Sequence, residues 1–196
     1  LGRELGRENP TLQADFIVPI LDSGKHSAIG LSGITQIPYK EYFLRIHNPP
    51  NSNQRSFTSA TPEERVRTAY QKLHLRVDKI AGKTVITDDD SIVRATTTKI
   101  INRRLREAGA SRIINCVSSP PIIDICPYGM DFQDPSQLIA AKLPIEDIRK
   151  EIGADELIYL SQEGLDRVVS RTYNSGVCNG CITGNYPVPY QLKDFP

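Results

Sequence analysis

The most informative stretch of the sequence reads Lys83-Thr84-Val85-Ile86-Thr87-Asp88-Asp89-Asp90-Ser91, which passes from β-branched to acidic side chains. Residues 83–87 have the composition of a buried strand. After the acidic residues, residues 97–108 carry Ile100, Ile101 and Leu105 at helical spacing, and Gly109 marks the end of that helix. The pattern predicts a strand, an acidic loop and a helix in direct succession.

The same alternation of periods continues in both directions along the chain. Strands are predicted in residues 15–20, 42–46, 111–117 and 157–160. Helices are predicted in residues 1–8, 27–34, 145–152 and 163–169, and another starts at Thr61-Pro62 and runs toward residue 73. We therefore expect an α/β fold, a mostly parallel, Rossmann-like sheet flanked by helices, with ligands bound at the carboxyl ends of its strands.

The length and composition narrow the class of protein. With 196 residues, 39% of them hydrophobic, the chain has the size of one domain with a small appendage. Its net charge of +1 does not suggest a basic nucleic-acid-binding surface, and no apolar run approaches the roughly 18 residues of a membrane span. Four cysteines are too few for a disulfide-stapled secreted domain, so we predict a cytoplasmic protein with neither nucleic-acid nor membrane partners.

The candidate site is the segment 87–98 at the end of the central strand. Three consecutive carboxylates can accept hydrogen bonds from sugar hydroxyls or bind a hard divalent cation. The hydroxyl side chains and backbone N–H groups at the start of the next helix suit a phosphate. The residue types alone leave a second interpretation open, a solvated turn with helix-capping residues. A dinucleotide fingerprint and a Walker loop are both absent from the sequence.

Residues 85–97, Val-Ile-Thr-Asp-Asp-Asp-Ser-Ile-Val-Arg-Ala-Thr-Thr, resemble the phosphoribosyl pyrophosphate motif of type I phosphoribosyltransferases. The form is that of the glutamine phosphoribosylpyrophosphate amidotransferases, also called amidophosphoribosyltransferases. Asp22-Ser23-Gly24-Lys25 resembles the family's pyrophosphate loop, and Arg55-Ser56-Phe57 resembles part of its flexible catalytic loop. Further matches follow in family order at residues 106–110, 118–121, 128–131, 152–155 and 184–187. The resemblance favours a ligand-binding loop over a solvated turn.

The resemblance implies a reaction at C1 of an activated ribose. Ammonia displaces pyrophosphate from phosphoribosyl pyrophosphate to give 5-phosphoribosylamine, the first step of de novo purine synthesis. Asp89 and Asp90 would contact the ribose hydroxyls directly or through Mg²⁺, with Ser23 as a further magnesium position, and Arg45 and Arg55 would close over pyrophosphate. The implied substrate-binding residues are Asp22, Ser23, Gly24, Lys25, Asp89, Asp90, Ser91, Ile92, Val93, Arg94, Ala95, Thr96, Thr97 and Thr98.

Several residues depart from the family pattern. Ala95 stands where the family carries glycine, and its methyl group would crowd the phosphate or oppose a positive φ. Asp88 replaces an apolar strand residue and, as a third carboxylate, should raise the pKa of at least one neighbour unless a metal offsets it. Leu21 replaces a proline, and residues 47–54 form a longer loop without the family's basic pattern.

The cysteines form a second candidate site. Cys178 and Cys181 form a CxxC pair, whose spacing suits zinc, an iron–sulfur cluster or unliganded thiols. The resemblance implies that Cys126, Cys178 and Cys181 are three ligands of a [4Fe-4S] cluster whose fourth ligand lies upstream of Leu1. Cys116 lies on a predicted strand and is expected in the core.

The resemblance also implies partners and a domain organisation. We expect residues 1–170 to form the phosphoribosyltransferase domain and residues 171–196 a cysteine-containing extension packed on it. A glutaminase domain, absent from this chain, would supply ammonia from glutamine in a longer protein. Homo-oligomers and feedback inhibition by purine nucleotides are expected. Two alternatives stay open: a salvage nucleobase phosphoribosyltransferase, and a non-catalytic module that binds phosphoribosyl pyrophosphate or nucleotides.

Overall fold

A computed structural model describes residues 1–45, 73–130, 134–173 and 176–188. The helices are α1 (Gly2–Glu8), α2 (Lys25–Thr35), α3 (Thr96–Glu107), α4 (Ile139–Lys142), α5 (Ile145–Glu151), α6 (Gln162–Thr172) and α7 (Gly180–Thr183). The strands are β1 (Phe16–Pro19), β2 (Phe43–Arg45), β3 (Leu73–Leu75), β4 (Thr84–Asp89), β5 (Arg112–Val117) and β6 (Glu156–Tyr159). Single 3₁₀ turns lie at Val77–Lys79 and Pro135–Gln137.

Four strands form one parallel sheet in the order β1-β4-β5-β6. Strands β2 and β3 form a separate antiparallel pair. Because β4 and β5 lie in the middle of the parallel sheet, their side chains are buried on both faces, which explains their continuous apolar composition. The prediction of a mostly parallel sheet flanked by helices is confirmed.

Alternate strand residues pack against different helices. Ile17, Ile86 and Ile114 are paired across β1, β4 and β5 and pack against Leu5 of α1 and Leu31 of α2. On the opposite face, the neighbouring strand residues Phe16, Val85 and Ile113 pack against α3. The α3 residues in this cluster are Ile101 and Leu105. This arrangement fixes α2 and α3 on opposite faces, so that both begin at the carboxyl edge of the sheet.

The predicted elements agree with the structure, with a few differences. Strand β4 is longer than predicted and includes Asp88 and Asp89, which were expected in a loop. Residues 73–75 form a strand, whereas a helix was expected to reach residue 73, and the rest of that helix and the loop 47–54 lie outside the described residues. The short helices α4 and α7 were not predicted. The division of the chain at residue 170 falls in the last turn of α6 and stays a prediction.

None of the helices in the described ranges is long and apolar enough to cross a membrane.

Candidate active site

The acidic pair, Asp89 and Asp90, lies where β4 ends. Asp89 is 7% exposed, and its Oδ1 accepts hydrogen bonds from Ser23 Oγ at 3.4 Å and from the backbone N–H of Asp90 at 3.0 Å. Asp90 is exposed, and its Oδ1 accepts from the backbone N–H of Ser91 at 2.9 Å. One carboxylate of the pair is therefore held in the sheet while the other faces solvent, at the edge where parallel sheets bind ligands.

The buried carboxylates hold their protons more tightly than usual. Burial, followed by the interaction with Asp90, raises the pKa of Asp89 well above its ordinary value. Burial also raises the pKa of Asp88 to about 7, although Ser118 Oγ donates a hydrogen bond to its Oδ1 at 3.2 Å. The predicted rise in pKa is thus present, but desolvation is its largest cause and like charge is secondary.

The pyrophosphate loop, residues 22–25, packs directly on the end of β4. A Cβ atom built on Gly24 would lie 2.1 Å from the backbone oxygen of Asp88, so the loop approaches the strand more closely than any other residue type allows. The same oxygen accepts a hydrogen bond from the Ile20 N–H at 2.8 Å. The peptide bond between Leu21 and Asp22 is cis. Helix α2 begins at Lys25, whose Nζ lies 2.6 Å from Oε1 of Glu41.

The predicted phosphate cradle, residues 94–98, comprises the two residues before α3 and the start of that helix. Ala95 precedes the helix with φ +61° and ψ +4°, a left-handed conformation that favours glycine. Its methyl group packs in a cluster with Ile92 and Val117, on the core side of the turn. The backbone therefore adopts a positive φ at position 95, although the methyl group was expected to oppose one.

The side chains of the cradle differ in how they could meet a ligand. Thr98 is 2% exposed, so it could reach a ligand only through its backbone N–H. Thr97 and Arg94 are exposed, and Arg94 Nε donates a hydrogen bond to Gln137 Oε1. No side-chain cap hydrogen bond is made at the N-cap of α3, and the first N–H groups of a helix have no partner within the helix, so this helix start is a candidate anion-binding position.

The side chains of the two candidate arginines, Arg45 and Arg55, lie outside the described part of the structure. Arg45 ends β2, where the structure describes its backbone. Arg55 lies outside the described residues.

Cys116 lies in the core as expected, whereas Cys181 lies in the short helix α7 and not in a loop. Cys116 is 1% exposed and packs beside Ile86 and Ile114, so its prediction as a core residue is confirmed. Cys126 and Cys181 pack against one apolar cluster. Burial raises the pKa of the Cys181 thiol, and the charges of Cys126 and Cys178 raise it further, so the three thiols share one neighbourhood.

The fit of these thiols to a metal is incomplete. Within the described ranges, no three His, Cys, Asp or Glu side chains are arranged so that they could hold a metal ion. The three cysteines therefore do not form a closed ligand set by themselves.

Sequence reasoning missed a polar network beneath the site, made of Thr87, Asn102 and Asn115. All three residues are at most 1% exposed and hydrogen-bonded to one another. The available signal was an asparagine in the middle of an apolar strand and another on the apolar side of a helix, because buried amides in such positions need partners.

The amino-acid sequence is similar to those of known proteins over nearly its whole length. It is 39% identical over 188 residues to the amidophosphoribosyltransferase of Synechocystis, covering 96% of this chain and 37% of that protein. The Bacillus subtilis amidophosphoribosyltransferase is 39% identical over 200 aligned positions, covering 100% of this chain and 41% of that protein. This chain is homologous to the amidophosphoribosyltransferases. It spans about two fifths of their length, in their C-terminal part. None of the family models compared with the chain matches it.

Solved amidophosphoribosyltransferase structures have the same fold. The glutamine phosphoribosylpyrophosphate amidotransferase of B. subtilis, complexed with ADP and GMP, superposes with a TM-score of 0.82 at 38% identity, over 97% of this chain and 42% of that chain. A structure described as the allosteric regulatory enzyme of purine biosynthesis superposes with a TM-score of 0.81 at 37% identity, over 97% of this chain and 41% of that chain. The chain therefore has the type I phosphoribosyltransferase fold of the amidophosphoribosyltransferases.

Proposed function

We propose that this chain is the phosphoribosyltransferase part of an amidophosphoribosyltransferase. In this reaction the nitrogen of ammonia bonds to C1 of phosphoribosyl pyrophosphate, and the bond between C1 and the pyrophosphate oxygen breaks. Pyrophosphate leaves with the bonding electrons, and the new ammonium group loses a proton to solvent, which gives 5-phosphoribosylamine. The homology favours this function over nucleobase salvage and over a non-catalytic binding module.

The observation that carries the proposal is the meeting of three segments at one edge of the sheet. Ser23 of the predicted pyrophosphate loop bonds to Asp89, and three residues separate Asp90 from the phosphate cradle at the start of α3. A substrate with a ribose between a 5′-phosphate and a pyrophosphate needs such an order of anion, hydroxyl and anion sites. The acidic pair would accept hydrogen bonds from the 2′- and 3′-hydroxyls, and the helix start would hold the 5′-phosphate.

The site has the donor set that magnesium prefers. Asp89, Asp90 and Ser23 offer carboxylate and hydroxyl oxygens. Burial and the neighbouring Asp90 raise the pKa of Asp89, and a cation bound beside it would lower that pKa again. Mg²⁺, when bound there, would neutralise charge on the pyrophosphate and ribose oxygens. The protein's own part is to orient C1 toward ammonia and to exclude competing water. Arg45 and Arg55 are proposed to close over the departing pyrophosphate.

The remaining features of the proposal concern a longer protein. A glutaminase domain would deliver ammonia from glutamine, and a [4Fe-4S] cluster would use Cys126, Cys178 and Cys181 with a fourth ligand from outside this chain. We propose a cytoplasmic homo-oligomer inhibited by purine nucleotides. The similar B. subtilis enzyme forms a complex with ADP and GMP, which supports this last point.

The test follows pyrophosphate release by this chain. The protein is incubated with Mg²⁺ and phosphoribosyl pyrophosphate, together with ammonia, glutamine or a panel of nucleobases. Of the three kinds of acceptor, we expect only ammonia to support pyrophosphate release. The variants Asp89→Asn and Asp90→Asn should abolish this release. Asp166→Asn is the control, because Asp166 is an exposed carboxylate of α6 that accepts a hydrogen bond from Gln162 and is not among the proposed substrate-binding residues. Release that depends on a nucleobase, or tight binding without release, would contradict the proposal.

A further inference from the structure

The polar network of Thr87, Asn102 and Asn115 joins strands β4 and β5 to helix α3. Asn102 Nδ2 donates to Asn115 Oδ1 at 2.7 Å, and Asn115 Nδ2 donates back to Asn102 Oδ1 at 3.1 Å. Asn115 Nδ2 also donates to Thr87 Oγ1, and Asn102 Nδ2 donates to the backbone oxygen of Ile152 at 2.8 Å. Each asparagine therefore uses both of its amide hydrogens.

These residues stand in positions that normally hold apolar side chains. Thr87 is 0% exposed, and Asn102 and Asn115 are 1% exposed. The residues beside them on the same sheet face, Val85 and Ile113, belong to the apolar core. Burying two amides costs free energy that only their mutual hydrogen bonds offset, and asparagine is also a poor helix former. Stability alone would be served by valine or leucine, which points to another use for the network.

The network connects the two elements that carry the proposed substrate site, β4 with the acidic pair and α3 with the phosphate cradle. Thr87 precedes Asp89 by two residues on β4, so the two side chains share one face of the strand. Asn102 follows Thr96 by six residues on α3, about 9 Å along the helix axis. Asn115 is paired with Thr87 in the register of β4 and β5. A hydrogen bond has a fixed length and direction, whereas apolar contacts allow a helix to slide or rotate.

We propose that Thr87, Asn102 and Asn115 are positioning residues that fix α3 on the sheet and thereby set the distance between the phosphate cradle and the acidic pair. The inference rests on the proposed function in one respect, the identity of the ligand that spans this distance. Its consequence is that the network tunes affinity for a ligand carrying both a phosphate and ribose hydroxyls. Ammonia does not bridge the phosphate cradle and the acidic pair, so its use should not depend on the network.

The energetics of unpaired polar groups allow positioning to be separated from stability. Asn102→Val leaves the amide oxygen of Asn115 and the backbone oxygen of Ile152 without their donor, although Asn115 keeps its bond to Thr87. Its unfolding midpoint in urea should therefore fall. The triple variant Thr87→Val/Asn102→Val/Asn115→Val replaces all three polar side chains with apolar ones of similar size, so that the backbone oxygen of Ile152 is the one network atom left without its donor. Its unfolding midpoint should therefore return toward that of the wild-type protein.

The experiment compares this triple variant with the wild-type chain. We expect its KM for phosphoribosyl pyrophosphate to rise about ten-fold, while kcat and the KM for ammonia stay within about two-fold. Thr87→Ser keeps the hydroxyl and should keep the wild-type KM. A triple variant with recovered stability and an unchanged KM would overturn the proposal.

A second readout does not depend on any ligand. Amide hydrogen exchange in the first two turns of α3 should be faster in the free triple variant than in the wild-type chain, while exchange in α6, on the other face, stays the same. If the wild-type chain fails to bind phosphoribosyl pyrophosphate, the proposed function fails, but this exchange comparison still decides whether the network holds α3. Identical exchange in α3 would overturn the positioning role.

Discussion

Ser23 Oγ lies 3.4 Å from Asp89 Oδ1, although the two residues are 66 positions apart in the sequence. The contact forms because β1 and β4 are parallel neighbours, so that the turn after β1 and the end of β4 meet at one edge of the sheet. The predicted pyrophosphate loop and the acidic pair therefore lie side by side at this edge. This relationship gives the first prediction.

Replacing Ser23 with alanine should weaken the use of Mg²⁺. The hydroxyl is a candidate magnesium-side oxygen and a hydrogen-bond donor to Asp89, so its loss removes one ligand and loosens another. We expect the Mg²⁺ concentration that gives half-maximal pyrophosphate release to rise about ten-fold or more. Ser32→Ala is the control and should leave this concentration unchanged. Ser32 lies in α2, and its hydroxyl donates to the backbone oxygen of Ile37.

Adding a methyl group at Gly24 should damage the pyrophosphate loop. The new Cβ would lie 2.1 Å from the Asp88 oxygen and 3.0 Å from the Ile20 oxygen, both of which are backbone atoms that cannot rotate away. Gly24→Ala should therefore lower the free energy of unfolding by about 3 kcal/mol and abolish binding of phosphoribosyl pyrophosphate.

The matched control for this change lies in the helix that follows the loop. A Cβ on Gly33 would meet no atom within 4 Å, so Gly33→Ala should raise the free energy of unfolding by about 0.5–1 kcal/mol. Urea unfolding measures both variants. Equal effects of the two substitutions would contradict the close approach of the loop to β4.

The sequence predicts the elements of this fold better than it predicts the depth of the site. Strand and helix periods place β4 and α3 correctly, because apolar spacing records burial on each face. The acidic run was expected in a loop, since carboxylates are seldom buried, yet Asp88 is 0% exposed within the strand. Sheet pairing decides where β4 ends, and local composition does not record that pairing.

The polar network shows a second limit of sequence reasoning. Asn102 and Asn115 are 13 residues apart, and nothing local to either one predicts that they share two hydrogen bonds. Their contact depends on α3 crossing back over β5. The departure at Ala95 was visible in the sequence, but whether it changes the backbone could be decided only by the observed φ of +61°.

Glycine at position 95 should be tolerated unusually well. Alanine in the left-handed conformation costs about 1–2 kcal/mol relative to the right-handed one, and glycine avoids this cost. The loss of a buried methyl group and the greater freedom of the unfolded chain oppose that gain by about 1–2 kcal/mol. Ala95→Gly should therefore change the free energy of unfolding by less than about 1 kcal/mol.

Ala28→Gly is the reference for that comparison. Ala28 is 0% exposed within α2 and has no backbone strain to relieve, so its loss should cost about 2 kcal/mol. Both free energies come from urea unfolding. If Ala95→Gly costs as much as Ala28→Gly, the left-handed backbone at position 95 is contradicted.

The stability of the chain should depend on pH through Glu4, a buried carboxylate of α1. Its Oε1 accepts from Arg167 at 2.6 Å and its Oε2 from Arg7 at 2.8 Å, and the Arg167 bond is the largest cause that holds the pKa of Glu4 below 4.5. Since the folded pKa is the lower one, the unfolded state binds the proton first. This contribution to stability is complete above about pH 4.5 and is lost as the pH falls through the folded pKa.

Glu4→Gln should therefore lower the free energy of unfolding by about 2 kcal/mol at pH 7 and by less at pH 3, where the carboxyl of the unfolded wild-type chain already binds its proton. Urea unfolding at both pH values measures the difference. Glu151→Gln is the control, because Glu151 is half exposed and its ion pair with Lys99 is a surface pair of small worth. A Glu4→Gln effect of the same size at both pH values would show that Glu4 stabilises the contact between α1 and α6 by packing and not by its charge.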